Sequence, residues 1–145
     1  MIALIQRVSE ASVRVEGIDV GRIGSGLLAL IGVERDDDED NAARLAERVL
    51  SYRVFADDAG RMNRSLLETG GGLLLVPQFT LAADTRKGTR ASFSSAAAPE
   101  VARTLFERLV AHARQRCADV QTGVFGADMA VALINHGPVT FRLQA

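Results

Sequence analysis

The sequence predicts an α/β fold in which a mixed sheet and two main helices form one domain. Groups of short strands alternate with two segments of helical periodicity, and two runs are apolar throughout, as in strands buried on both faces. The length of 145 residues suits one unit with a core of its own. We therefore expect residues 1–145 to be a single domain, although the pattern leaves the strand order open.

The first part of the chain is predicted to consist of strands. Alternating apolar residues indicate strands at 2–8, 11–15 and 18–23, with Glu16-Gly17 as a turn before the third. The continuous apolar run 27–33 indicates a strand that is buried on both faces. We expect this fourth strand in the middle of the sheet.

Two amphipathic segments predict the helices. In the first, an acidic run at 36–40 precedes an apolar stripe from Ala42 to Leu50, and its carboxylates suit a helix N-terminus better than a metal site. In the second, Pro99 takes a first helical position, and the apolar stripe ends near Arg116.

The remaining segments are predicted to be connections and strands. The glycine triplet 70–72 indicates a turn before a second buried strand at 73–76, because the order of a phosphate-binding loop is reversed here. Residues 82–98 lack periodicity and are long enough to indicate a functional loop. Three further strands are predicted, with residues 135–138 as a break between the last two. They lie at 120–125, 130–134 and 139–143.

Composition narrows the classes of function. The formal net charge of −1 gives no global attraction to phosphate, so any nucleic-acid contact must come from a local basic patch. The single cysteine, Cys117, excludes an intrachain disulfide and fits a reducing compartment. No signal-peptide pattern and no apolar run near the roughly 20 residues of a membrane helix occurs. We expect a cytoplasmic protein.

The sequence offers little side-chain chemistry for catalysis. A Ser-His-Asp or Cys-His set would have to use His112, at the edge of a helix stripe, or His136, beside a predicted turn. The spacings of zinc hydrolases, Walker loops and Gly-x-Ser-x-Gly elbows are absent, so we expect no metal site. A hydrolase with this sequence must use positioning, backbone N–H donors or a group of its substrate.

The segment from Val76 to Gly88 runs from a buried strand into a basic loop. At the end of that strand stand an amide, an aromatic ring and a hydroxyl, which belong to Gln78, Phe79 and Thr80. Strand ends often carry functional groups because a rigid sheet positions them, but ordinary strand packing explains these residues equally well. The residues alone leave both interpretations open.

The segment from Asn135 to Phe141 contains a Gly-Pro pair between two predicted strands. Gly137 would let the backbone approach a ligand closely, and Pro138 would fix the direction of the chain. About one X-Pro bond in twenty is cis in folded proteins, so composition alone favours a trans bond here.

Both segments resemble signatures of the D-aminoacyl-tRNA deacylase family, which are a Ser-Gln-Phe-Thr-Leu stretch and an Asn-Asp-Gly-Pro-Val-Thr stretch. Further family motifs occur in matching order along the whole chain. They are Ile5-Gln6-Arg7-Val8, Gly32-Val33, Arg61-Met62-Asn63-Arg64-Ser65-Leu66 and Phe125-Gly126-Ala127-Asp128-Met129. The resemblance implies a compact α/β domain with mixed, largely antiparallel, barrel-like and layered sheets and two main helices.

The resemblance also implies an activity and its partners. The expected reaction is hydrolysis of the ester of D-aminoacyl-tRNA, with mischarged glycyl-tRNA as a further substrate, in an editing role. The expected partners are tRNA and a second copy of the chain, without DNA or a membrane. No cofactor is expected.

In this family a Gly-cisPro pair of each subunit enters the other subunit's site as a chiral filter. Gly137 and Pro138 match that pair, and Arg7 matches a position that helps to hold it. The carbonyls of the filter crowd the side chain of an L-amino acid, whereas a D-residue directs its side chain elsewhere and glycine has none. Selection would therefore work by exclusion.

The resemblance places the catalytic groups around the aminoacyl ester and the terminal adenosine. This catalytic set is Gln78, Phe79 and Thr80, and the pocket around it adds Pro77, Leu81 and Met129. The implied mechanism uses backbone N–H groups and the terminal ribose hydroxyl. A nucleophilic Thr80 is the alternative, for which the sequence shows no base.

The clearest basic cluster of the sequence is Arg86, Lys87 and Arg90. It would contact the phosphates of the tRNA acceptor end, and a solvated loop is the other interpretation.

Two positions depart from the family signatures: Pro77 replaces a serine, and His136 replaces an aspartate. Two alternatives remain: a glycine-directed relative that tolerates small L-residues through a trans filter, and a non-catalytic dimeric tRNA-binding module.

Overall fold

A long central strand, β1 (Ile2–Val15), organises the computed structural model, which describes residues 1–145. On one edge of β1, the first half pairs with β3 (Gly26–Gly32) and the second half with β2 (Ile18–Ile23). On the other edge, β8 (Ala130–Gln144) runs along nearly the whole of β1. All three pairings are antiparallel, so β1 connects every antiparallel part of the main sheet.

Two parallel strands continue the sheet beyond β3. β6 (Gly72–Pro77) pairs with β3, and β7 (Val120–Thr122) pairs with β6. The resulting order is β2-β1-β3-β6-β7 with β8 on β1, and the ends of the sheet approach each other because β2 also contacts β6 and β7. This mixed, barrel-like sheet confirms the predicted fold class and the central position of the strand at 27–33.

The two predicted main helices are present. Helix α1 (Glu39–Ser51) begins after Asp38, whose carboxylate accepts a hydrogen bond from the N–H of Asn41 in a capping box, so the acidic run caps a helix as predicted. Helix α3 (Pro99–Arg116) begins at the proline. A short helix, α2 (Leu66–Thr69), follows a small hairpin of β4 (Phe55–Ala56) and β5 (Met62–Arg64).

Both faces of the central strands β3 and β6 are buried, and the two faces have separate cores. Helices α1 and α3 pack together and cover one face, where a cluster of 25 buried residues lies. A cluster of seven buried residues, which includes Leu28 and Leu74, occupies the opposite face. Because neighbouring side chains of a strand point to opposite faces, Leu27 and Leu73 belong to the first core. This explains why β3 and β6 are apolar throughout.

Three predicted strand boundaries were wrong. Residues 2–8 and 11–15 form one continuous strand, because β8 pairs with both parts across a local shift in register. β7 ends at Thr122 rather than at residue 125. β8 is not broken at 135–138, since pairing with β1 continues on both sides of that segment. None of the helices is long and apolar enough to cross a membrane.

Candidate functional site

A cavity of about 460 Å³ lies where β6 ends, and we call it the β6 pocket. It is bounded by the end of β6, the first turn of α3 and the connection from β7 to β8. Eight of its 13 lining residues are hydrophobic. They come from four parts of the chain: Val76–Phe79, residues Ala97, Pro99 and Ala102, Phe125–Met129, and Val131.

The chain turns sharply at the floor of this pocket. After β6, the N–H of Gln78 donates to the carbonyl of Ile31 at 2.7 Å, and Phe79–Ala82 then forms a 3-10 turn. Gly32 permits this turn to pack against β3, because a Cβ at that position would lie 2.8 Å from the Cβ of Leu81. A buried strand thus delivers the predicted catalytic residues to the edge of the sheet.

The polar groups of the turn are arranged without a general base. The Gln78 amide Nε2 lies 2.6 Å from Thr80 Oγ1, so the hydroxyl accepts a hydrogen bond from the amide. No carboxylate or imidazole forms a hydrogen bond with Thr80. The N–H groups of Phe79 and Thr80 precede the first donor within the turn, Leu81, so they have no carbonyl partner inside the turn, and no side chain accepts a hydrogen bond from them. These two donors are therefore available to a ligand.

The structure separates the six residues predicted for the catalytic set and pocket. Pro77, Gln78, Phe79 and Met129 line the β6 pocket. Thr80 is exposed at its rim, and Leu81 lines a different cavity that also contains Arg86. Met129 is held in place by its sulfur, which accepts the Val124 N–H at 3.3 Å.

Two aromatic residues of the site were missed by the sequence analysis. Phe93, from the loop before α3, packs against Phe79 with ring centroids 5.0 Å apart. Phe125 lines the opposite wall of the pocket. Phe125 belongs to a family motif that was recognised without a role, whereas the loop around Phe93 has no periodicity that could have indicated a contact.

Gly137 and Pro138 lie in a bulge of β8. Between the pairs Gln6–Thr140 and Val8–Asn135, β1 contributes one residue and β8 contributes four, so the additional chain leaves the ladder. The Gly137-Pro138 bond is cis. Both residues are exposed, and Gly137 has a φ of +139°, which disfavours other residues.

Arg7 and Asn135 hold the two ends of this bulge. Arg7 Nε donates to the carbonyl of His136 at 2.9 Å, and its Nη1 donates to the carbonyl of Val54 at 2.7 Å. The Asn135 side chain accepts the N–H of Val139 at 2.9 Å and donates to Thr140 Oγ1 at 2.8 Å. The resemblance predicts a supporting role for Arg7, and it assigns none to Asn135.

The β6 pocket and the bulge of one chain do not meet. Val131 lines the pocket, and Gly137 lies six residues further along the same strand, roughly 20 Å away at about 3.3 Å per residue. Neither Gly137 nor Pro138 lines the β6 pocket.

The predicted basic cluster divides into paired and unpaired cations. Arg86 binds Asp84 through Nε at 3.0 Å and Nη2 at 2.7 Å, and these hydrogen bonds lower the pKa of Asp84 to about 2. Since the carboxyl is ionised above that value, this pair is intact at neutral pH and is lost as the pH falls toward 2. Lys87 and Arg90 are exposed and form no ion pair.

The structure contains no group of three or more His, Cys, Asp or Glu side chains placed to hold a metal ion. The Cys117 thiol is buried, and burial raises its pKa, which disfavours the reactive thiolate. The chemistry available at the β6 pocket therefore comes from backbone donors, the Gln78 amide, the Asp128 carboxylate and aromatic walls.

Comparisons with known proteins find relatives along nearly the whole chain. The family described as "D-Tyr-tRNA(Tyr) deacylase" matches residues 4–144. A D-aminoacyl-tRNA deacylase of Alkalilimnicola ehrlichii is 67% identical over 145 residues, which are 100% of this chain and 97% of that protein.

Two solved structures share the fold. One, described as "c-Myc DNA Unwinding Element Binding Protein", has a TM-score of 0.95 at 33% identity and covers 100% of this chain and 99% of its own. The other, described as "Structural Analysis of a probable eukaryotic D-amino acid tRNA deacylase", has a TM-score of 0.87, and the match covers 99% of this chain and 98% of that one. At 18% identity, this second likeness concerns the fold alone.

Proposed function

We propose that this chain, which belongs to the D-Tyr-tRNA(Tyr) deacylase family, hydrolyses the ester of D-aminoacyl-tRNA and releases the free D-amino acid. The observation that carries the proposal is the β6 pocket, which is lined by Phe79 and Phe125 and lies beside the turn that begins with the backbone donors of Phe79 and Thr80. The reaction belongs to the cytoplasm, where tRNA is charged.

The β6 pocket has the walls that the end of an aminoacyl-tRNA requires. Its lining is mainly apolar, and two aromatic rings offer faces to the terminal adenine and the amino-acid side chain. Free N–H groups of Phe79 and Thr80 lie at the turn beside it, where they can face the ester carbonyl. Because Asp128 is the one ionisable side chain in this mainly apolar lining, the pocket suits an ester rather than an anionic small molecule.

The chemical step in this proposal is assisted by the substrate. Water attacks the ester carbonyl, the backbone N–H groups stabilise the oxyanion, and the bond to the ribose oxygen breaks, with the proton passing to that oxygen. A neighbouring hydroxyl of the terminal ribose orients the water. Thr80 is not the nucleophile, because its hydroxyl has no base and accepts a hydrogen bond from Gln78.

This mechanism accommodates Pro77. The family signature has serine at this position, and proline removes both the hydroxyl and the backbone donor. A serine nucleophile would be lost by that change, whereas the donors of Phe79 and Thr80 remain. Pro77 then acts as a lining residue of the pocket.

Selection against L-residues is assigned to the bulge at Gly137 and Pro138 of a partner subunit. The distance of roughly 20 Å along β8 supports this arrangement, since the bulge cannot reach the pocket of its own chain. In a homodimer, each bulge would enter the other pocket and exclude an L side chain. Discrimination of ten-thousandfold needs about 5.5 kcal/mol, which a steric clash in a rigid site can supply.

The same filter would admit glycine, which has no side chain to exclude, so glycyl-tRNA is proposed as a second substrate.

Lys87 and Arg90 are the cations of the loop that are free to contact tRNA phosphates. Arg86 is already bound to Asp84, so its contribution to tRNA binding is smaller.

The test is the rate at which the purified protein releases the amino acid from D-tyrosyl-, L-tyrosyl- and glycyl-tRNA, against a control without enzyme. We expect fast release of D-tyrosine and glycine and no acceleration for L-tyrosine. Equal release of both tyrosine enantiomers would remove the filter from the proposal. Release of glycine and small L-residues without D-tyrosine would favour the glycine-directed relative, and release of none would favour a tRNA-binding module.

A further inference from the structure

A second cavity adjoins the β6 pocket on the far side of Phe125. It has a volume of about 270 Å³ and lies between the exposed face of α3 and β7, and we call it the α3 groove. The Phe125 ring lines both cavities. The two cavities are therefore neighbours that share one aromatic wall.

Two arginines of α3 line this groove, and both are free of carboxylate partners. Helix α3 contains four arginines, of which Arg108 pairs with Glu39 at 3.3 Å and Arg116 pairs with Glu47 at 2.7 Å. Arg103 and Arg114 have no ion pair, although Glu107 lines the same groove. The paired arginines connect α3 to α1, whereas the unpaired ones face the groove.

The guanidinium of Arg103 is positioned at the wall shared by the two cavities. Its Cζ lies 4.9 Å from the centroid of the Phe125 ring, in a cation–π contact. Its Nη2 is also close to Gly126, another residue of the β6 pocket, since a Cβ added to this glycine would lie 4.0 Å from that nitrogen. Stacking restrains the guanidinium plane and leaves its N–H donors unused, which is the arrangement that suits bidentate binding of a phosphate.

Arg103 and Arg114 are eleven residues apart on one face of α3. At 1.5 Å per residue their Cα atoms are separated by about 16 Å along the helix axis, and eleven residues return almost to the same angular position. The groove therefore presents two cations in a row, with Glu107 and Val110 among the lining residues between them. A row of this length can contact more than one phosphate of an extended strand.

We propose that the α3 groove binds the phosphodiester backbone of the unpaired 3′ end of tRNA, with Arg103 on the phosphate next to the terminal adenosine and Arg114 on an earlier one. This inference rests on the proposed function, because the adenosine must occupy the β6 pocket. The near-neutral net charge makes such a local pair necessary for phosphate binding. Because the contacts are to the backbone, they serve tRNAs of different sequence.

The test compares two substrates that differ in phosphates: D-tyrosyl-tRNA and D-tyrosyl-adenosine, which has the ester and the nucleoside alone. We expect the double variant Arg103→Gln, Arg114→Gln to raise KM for the tRNA by about tenfold while kcat changes less than twofold. The increase in KM is no larger because solvent screens both charged contacts. Its kcat/KM on D-tyrosyl-adenosine should equal that of the wild type. Arg108→Gln, which removes a paired arginine of the same helix, is the matched control.

Salt dependence gives an independent measure. Each phosphate contact to a single strand contributes about 0.7 to the slope of log KM against log salt, so the double variant should lower the slope by about 1.4. Equal losses on both substrates would show that the arginines support the pocket, and unchanged KM and slope would show that the groove is empty during catalysis. Either result overturns the inference.

Failure of the proposed function would be visible separately. If the wild-type protein hydrolyses neither ester, the groove is tested by the binding of uncharged tRNA in a filter assay. Weaker binding by the double variant than by Arg108→Gln would support the groove, and equal binding would overturn it.

Discussion

The β6 pocket and the β8 bulge are built in opposite ways. The pocket joins four distant segments and presents apolar walls, whereas the bulge is four consecutive residues tied down by the side chains of Arg7 and Asn135. The pocket is a cavity enclosed by residues of one chain, whereas Gly137 and Pro138 of the bulge are exposed to solvent. If the pocket binds the ester and the bulge rejects the L-enantiomer, as proposed above, mutations should change the two properties separately.

The largest effect is expected from Gly137→Ala, which changes the bulge alone. The new Cβ would lie 2.7 Å from Val139 Cγ2 and 2.9 Å from Arg7 Nη2, so the bulge must shift. We expect D-tyrosyl-tRNA deacylation to fall by about 100-fold, because displacement of about 1 Å in a site can cost that much. The measurement is kcat/KM for a variant shown by circular dichroism and sedimentation to be a folded dimer.

Gly17→Ala is the control for this variant, since Gly17 also has a positive φ but no atom within 4 Å of the added Cβ. Mixing Gly137→Ala with Phe79→Ala chains tests the two regions together. If the bulge serves the partner's pocket, each mixed dimer regains one intact site and activity returns. Wild-type activity of folded Gly137→Ala, or no recovery on mixing, would contradict this division.

A smaller effect is expected from Arg7→Gln. This change removes a guanidinium that donates to the carbonyls of His136 and Val54, so the bulge becomes mobile while the β6 pocket is untouched. A hydrogen bond from a charged group contributes about 1.5–3 kcal/mol, so the ratio of D- to L-tyrosine release should fall by about tenfold or more. Arg14→Gln, on the same strand but paired with Asp19, should leave the ratio unchanged.

The smallest effect is expected in the pocket itself, from Thr80→Val. The side chain is exposed at the rim, and its hydroxyl accepts a hydrogen bond from Gln78 without contacting a base. We expect kcat for D-tyrosyl-tRNA to fall by less than about tenfold, since losing a hydroxyl nucleophile costs orders of magnitude more. A loss above a thousandfold in single-turnover kinetics would make Thr80 the nucleophile and reverse the mechanism proposed above.

The sequence by itself determined the features that depend on local pattern. The uninterrupted apolar runs of β3 and β6, the acidic cap of α1 and the proline at the start of α3 each predicted an element that the structure contains. The motifs around Gln78 and Gly137 drew attention to the end of β6 and to the bulge of β8, and their roles in the reaction stay predictions. In each case the signal lies within about ten neighbouring residues.

Tertiary structure alone decided how distant parts combine. The four residues of the bulge oppose one residue of β1, Phe93 meets Phe79 across a loop, and Arg103 stacks on Phe125, which also borders the β6 pocket. The charge of Arg86 is neutralised by Asp84, while that of Arg103 is not. Register, ion pairing and shared walls are set by the packing of the whole chain, so no local pattern of residues carries them.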